Sequence, residues 1–222
     1  MVGLEVRGWM PAEFPSPDTM VGRYCRAERL VPSRHAAELF EANAADSSGA
    51  NWTYLTYGPF PTLDAYRAWA SEMAASEDPM FFAIVDGATG QATGVASLLR
   101  ISTEDGTIEV GHINFSPLLQ RTRAGTEAIF LMMIRVFDDW GYRRFEWKCN
   151  SLNAPSMAAA RRLGFTFEGT HRQAKVSKGR NRDTAWFSII DAEWPTIKLR
   201  LQTWLDPSNF DESGSQRTAL MR

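Results

Sequence analysis

Two short stretches hold groups that could do chemistry. The first, FSPLLQRTRAGTEA, spans residues 115–128. A strand ends there, a loop carries Gln120, Arg121, Arg123 and Gly125, and an apolar helix begins. The free N–H groups of a first helical turn face outward together, and the helix dipole adds partial positive charge. Such a junction favours a phosphate. The two arginines would strengthen that preference. Taken alone, the same pattern also suits a capped helix start with solvated arginines.

The second stretch, SLNAPSMAAARRLGFTFEG, spans 151–169. Asn153 suits an N-cap, Pro155 the first turn and Gly164 a C-terminal cap. Capping leaves Ser156 unexplained, a hydroxyl in the first turn just beyond a buried-looking strand. Upstream, IEVGHINFS (108–116) holds Glu109 and His112. Three residues apart on a strand, they share a face only if a bulge intervenes. Glu109 also suits a strand-end carboxylate paired with an arginine, and His112 a satisfied strand histidine.

The elements that must position these residues follow from periodicity. Residues 1–22 are proline-rich and read as an arm draped over the domain. RYCRAERL (23–30) is the first expected strand. A helix is predicted over 34–46, with Ala37, Phe40 and Ala44 on its apolar face, and another over 62–76, capped by Thr62, with Tyr66, Trp69 and Met73 inward. Three strands, MFFAIVD, ATGVASLLRI and IEVGHINFS, make a meander. A helix over 126–142 is apolar on nearly every side, so it should be buried, and Gly141 should stop it. RRFEWKCN (143–150) returns as a strand, so strand, helix and strand form a crossover with parallel strands. The Asn153 helix follows, then a strand over 165–177, a basic turn KGRNRD, a strand over 184–191 and a closing helix over 193–205. The tail beyond it reads as disordered.

Composition excludes several classes. The chain has 222 residues, 44% apolar and 23% charged, with a formal charge of −2. That balance gives no ground for a nucleic-acid partner. No run of about 18 apolar residues marks a membrane span. Glu5, Arg7 and several prolines occupy the place of a signal peptide's apolar run, so a cytoplasmic location is expected. Cys25 and Cys149 make no disulfide framework, and with His35, His112 and His171 far apart no metal is expected.

At this point the residues carry a resemblance. EVGHINFSPLLQRTRAGTEA (109–128), followed by NAPSMAAARRLGFTFEG (153–169), resembles the GCN5-related N-acetyltransferases (GNAT). More narrowly it is similar to the branch that acetylates ribosomal-protein N-termini (RimJ/RimL-like), which KGRNRDTAWFSIID (178–191) also matches. The resemblance covers roughly 23–194. It implies an α/β fold whose mixed, mostly antiparallel sheet splays at two parallel strands and is flanked by helices. The implied organisation is an arm (1–22), an acetyltransferase domain (23–194), and a C-terminal helix with a disordered tail (195–222). The implied activity is transfer of an acetyl group from acetyl-CoA to a primary amine, a peptide N-terminus or a small molecule, by direct attack.

The resemblance also assigns roles. Main-chain N–H groups of Gln120, Arg121, Thr122, Arg123, Ala124, Gly125 and Thr126 would hold the pyrophosphate. Arg123 stands where the family's first glycine belongs, so its guanidinium could lie along the phosphates. Asn153 would contact the pantetheine arm, and a main-chain N–H near Asn114 and Phe115 would face the thioester oxygen. Ser156 would protonate the leaving thiolate; the tyrosine many relatives use is Ala160 here. The branch's carboxylate falls on Lys175, which leaves Glu109 first and His112 second as the base. A peptide α-amine, with an ordinary pKa near 7.7–8.0, needs little help from either.

Trp52, Tyr54, Tyr57 and Phe60 would wall the acceptor site or simply cover the core. Arg172, Lys175, Lys178, Arg180 and Arg182 make a basic hairpin, solvated or attracting an acidic acceptor or the cosubstrate's ribose phosphate. Two rivals stand beside the enzyme reading. One is a coenzyme A-binding module without catalysis, and the other an RNA-binding protein using that hairpin. The sequence leaves the acceptor and homodimerisation open.

Overall fold

The computed structural model describes residues 2–220. Eight strands form one sheet: β1 (Met20–Val21), β2 (Cys25–Arg29), β3 (Met80–Asp86), β4 (Ala92–Ser102), β5 (Thr107–Phe115), β6 (Arg144–Asn150), β7 (Thr166–Ser177) and β8 (Arg180–Ile190). Their order across the sheet is β1-β2-β3-β4-β5-β6-β8-β7. Every neighbouring pair is antiparallel except β5 and β6, the parallel pair implied by the crossover. The helices are α1 (Pro32–Ala44), α2 (Leu63–Ala74), α3 (Arg123–Ile134), α4 (Ala154–Leu163) and α5 (Trp194–Leu205). No helix among the described residues is long and apolar enough to cross a membrane.

Two apolar clusters sit on the sheet. One gathers α3, α4 and α5 with Ile108, Val110, Phe145, Trp147, Ala185 and Phe187. The other gathers α1 and α2 with Phe81, Ala83 and Val95. Alternation therefore turns Glu109, Glu146 and Lys148 away from α3. α3 itself is buried along most of its length, as its all-round apolar sequence requires.

Several details differ from the sequence expectations. α1 buries His35, Ala36, Leu39, Ala42 and Asn43, whereas Phe40 is half-buried and Ala44 exposed. Counting apolar residues missed this face because two of its members are polar with partners inside. The His35 ring bonds the Val31 N–H and Glu28, and the Asn43 side chain donates to the Leu39 carbonyl. The helix expected over 126–142 leaves α geometry at Arg135 for a π turn to Asp139, ahead of Gly141 at φ +71°. The six-residue basic turn contracts to Lys178-Gly179, both left-handed, so β8 begins at Arg180. The tail expected to be disordered folds back instead. Phe210 and Leu220 are buried, and Trp204 Nε1 donates to Gln216 Oε1 at 2.9 Å. The arm does drape: Ala12 N–H donates to the Thr103 carbonyl, and Trp9 lies over Gly106 and Arg143.

Candidate active site

The register of β5 and β6 runs from Thr107↔Arg144 to Val110↔Trp147 and stops. Both strands continue, β5 to Phe115 and β6 to Asn150, without facing each other. A cleft thus opens in mid-sheet, with α3 starting just after β5 and α4 just after β6. Open α/β sheets commonly bind ligands outside the ends of strands that part in this way.

The amides at the start of α3 divide into partnered and unpartnered ones. Thr122 is the N-cap, its hydroxyl accepting from Gly125 N–H at 3.0 Å. Gln120 N–H goes to the Ser116 carbonyl, Thr122 N–H to Leu119 and Thr126 N–H to Thr122. That leaves Arg121, Arg123 and Ala124 N–H without an acceptor among the described residues. Arg121 takes the left-handed turn, φ +60°, so Arg123 stands in the helix where any side chain is tolerated. The glycine missing at 123 therefore costs the turn nothing. Gly125 is needed for another reason: a Cβ there would lie 2.6 Å from the Leu119 carbonyl oxygen. The compact loop with unpartnered amides suits a pyrophosphate.

The side chains of this loop are placed differently from the expectation. The Arg123 guanidinium is stacked 4.6 Å from the Tyr24 ring and 4.9 Å from Phe210. The Gln120 amide donates to Asn51 Oδ1 and to the Phe115 carbonyl, and Asn51 Nδ2 donates to the same carbonyl at 2.9 Å. Gln120 and Asn51 thus pin the end of β5. Asn114, beside it, is buried with both amide atoms unpartnered, a polar group that water or substrate would complete.

At the other cleft wall Asn153 caps α4, its Oδ1 accepting from Ser156 N–H at 3.1 Å. Gly164 ends the helix left-handed at φ +108°. The Ser156 hydroxyl oxygen accepts from Trp147 Nε1 at 3.0 Å. Indole is a donor only, so the serine's own proton is left to donate, with the Cys149 sulfur close enough to receive it in the absence of a ligand.

A bulge in β5 brings Glu109 and His112 to one face. Val95 pairs with Asn114 but Ser97 with Gly111, and His112 sits at φ +50°. Glu109 is 5% exposed and bonded to Arg100 and Lys148, each at 2.9 Å. Burial pushes its carboxyl pKa up, and those two cations oppose the shift. His112 packs on Phe81 and stacks on Tyr57, whose hydroxyl is 3.3 Å from Nδ1. Burial first, then the charges of Lys175, Arg100 and Arg182, lower its pKa to about 4. It is neutral at pH 7 and a weak base. Sequence reasoning missed Arg100, Lys148 and Trp147. A signal existed in RFEWKCN, where Glu146 and Lys148 alternate with buried Phe145, Trp147 and Cys149.

The aromatic loop and the basic hairpin close over this face. Lys178 Nζ donates to the carbonyls of Trp52 and Gly58 at 2.9 and 3.1 Å. The Tyr54 hydroxyl donates to the Leu152 carbonyl at 2.9 Å. Trp52 packs on Tyr57 and Phe60, which in turn contact Trp69 and Tyr66, so these aromatics cover the core while Tyr57 also stacks on His112.

Known proteins are similar to this chain in sequence and fold. A GCN5-related N-acetyltransferase from Brucella melitensis is 45% identical, with a TM-score of 0.95 over 97% of both chains. A GNAT-family protein of Chromobacterium violaceum is 42% identical, with a TM-score of 0.81 over 88% of this chain and 97% of that one. The uncharacterised N-acetyltransferase p20 of Bacillus licheniformis is 24% identical over 180 residues, 75% of this chain and 98% of its own. Residues 29–166 match the acetyltransferase (GNAT) domain family, and on that match, together with the parted parallel strands, the chain belongs to the GNAT acetyltransferases.

Proposed function

We propose that the chain moves an acetyl group from acetyl-CoA to a primary amine by direct attack, without an acyl-enzyme. The observation that carries this reading is the trio of unpartnered amides, Arg121, Arg123 and Ala124, opening where β5 and β6 part. They would hold the pyrophosphate, with Asn114, Phe115 and Asn153 along the arm that carries the acetyl group. Acetyl-CoA supplies the activated carbonyl. The amine nitrogen bonds to that carbon, the C–S bond breaks, and the amine's proton leaves. Ser156, its oxygen held by Trp147, gives its proton to the departing sulfur and regains one from solvent. Glu109, through water, or His112 takes the amine proton.

Neither base is strong, since Glu109 is engaged by two cations and the His112 pKa is about 4. The reading therefore favours amines that are already partly neutral, peptide α-amines among them, in keeping with the ribosomal-protein branch. The same weakness favours a second reading, a coenzyme A-binding module without turnover. Thiol release from acetyl-CoA against a panel of amines, with mass spectrometry of the products, separates the two. Acetylated product supports transfer. Coenzyme A raising the melting temperature while no amine releases thiol supports the module.

A further inference from the structure

The β7–β8 wall of the cleft holds positive charge that the fold leaves unspent. Arg182, Thr184 and Trp186 lie on one face of β8, alternating with Ala185 and Phe187, which enter the core. Each of the three has a buried polar atom without a hydrogen-bond partner among the described residues: Arg182 Nε, Thr184 Oγ1 and Trp186 Nε1. Thr184 is 6% exposed, so water does not satisfy it freely. Across the hairpin Lys175 pairs in register with Arg182. The carboxylates of this face are already taken. Glu109 serves Arg100 and Lys148, while Glu146 serves Lys148 and Arg144. Asp183, between Arg182 and Thr184 in sequence, accepts from Gln173 N–H and Asn181. Neither Lys175 nor Arg182 has a carboxylate within ion-pair distance among the described residues.

Two free cations beside a row of unpartnered donors are a receptor for an anion. We propose that the acceptor bears an anionic group, in the simplest case a carboxylate, besides its primary amine, and that Arg182 and Lys175 receive that group. The inference rests on the acetyl-transfer reading and names its substrate class. The same surroundings help the amine. Burial and the charges of Lys175, Arg100 and Arg182 drive His112 towards its neutral form, and they act in the same direction on an amine placed beside it. Once Lys175 and Arg182 are paired with that group, burial and the charge of Arg100 still favour a neutral nitrogen there.

The chemistry fits a small amino acid or a peptide with an acidic residue near its N-terminus, so the test has an arm for each. Thiol release is measured with the full chain and acetyl-CoA. One arm compares 4-aminobutyrate, butylamine and 1,4-diaminobutane, and the other C-terminally amidated tetrapeptides with Glu, Gln or Lys in second place. In at least one arm the carboxylate member should exceed the neutral one at least tenfold in kcat/KM, with the cation lowest. The arm that responds identifies the source. The double variant Lys175→Gln, Arg182→Gln should raise KM for that acceptor at least tenfold, with a much smaller change in kcat. Lys175→Glu with Arg182→Glu should shift preference towards the cationic acceptor, a gain that a misfolded protein cannot show. Preference of the native chain for neutral or cationic amines overturns the inference. So does an unchanged KM, or a loss of coenzyme A affinity in place of acceptor affinity. Thiol release indifferent to charge contradicts this inference alone, whereas no release from any amine contradicts acetyl transfer itself.

Discussion

At the scale of single residues, Ser156 and His112 carry separate predictions. The Ser156 oxygen is held by the Trp147 indole, which fits the proton-donor role proposed for it. Ser156→Ala should lower kcat by about a hundredfold, the low end of general acid catalysis, because the thiolate is a modest base. Coenzyme A affinity should stay within about twofold, and steady-state kinetics with calorimetry would check both; an unchanged kcat would remove the role. His112 gives a stability signature. Its pKa is about 4 in the fold against about 6.5 in the unfolded chain, so between those values the unfolded chain binds more protons. Its contribution is complete above pH 6.5 and is lost as pH falls towards 4, to the extent of about 3 kcal/mol. In urea titrations at pH 7.5 and 4.5, the native chain should lose about 2 kcal/mol more than His112→Phe; equal losses would contradict the burial of this ring. Ser156 and Asn153 were legible in the sequence because caps and hydroxyls at a helix start have fixed positions. The partners of Glu109 were not, because Arg100 and Lys148 come from neighbouring strands and only the register assembles them.

At the scale of elements, one buried carboxylate fixes the entry to the sheet. Glu127, in the second turn of α3, accepts from the N–H groups of Arg23, Tyr24 and Cys25 at 2.9, 2.6 and 2.8 Å. It thereby clamps the β1–β2 turn to the helix that starts just after the 120–122 loop. Glu127→Ala would leave three inward amides without an acceptor and should cost about 3 kcal/mol or more of stability, since hydrogen bonds to charged groups are worth about 1.5–3 kcal/mol each. Thermal unfolding measures it, and a change under about 1 kcal/mol would show that water replaces the carboxylate. Nothing in TEAIFLMMI marks this glutamate, because a charge in an apolar helix is explained only by the strand it meets. The β7–β8 hairpin teaches the same lesson. Its tip reads as the six-residue turn KGRNRD, yet two left-handed residues, Lys178 and Gly179, make a tighter turn and set Lys175 opposite Arg182.

At the scale of the whole molecule, the order of elements was legible and the closures were not. Periodicity and the crossover rule yield a meander, a buried helix and a parallel pair, because each rests on local pattern and on chain connectivity. The tail's polar composition hides Phe210 and Leu220, whose burial depends on α5 being in place. The lacing of loop 50–60 to the hairpin and to Leu152 depends on main-chain carbonyls, which no sequence displays. All these parts converge on the start of α3, where the account stands or falls. The most direct test is a coenzyme A titration of isotope-labelled protein followed by backbone amide resonances. Saturable shifts largest at Arg121, Arg123 and Ala124, together with weakened binding in Gly125→Val, are the predicted result. Binding that leaves those three amides unmoved, or no binding at all, would contradict it.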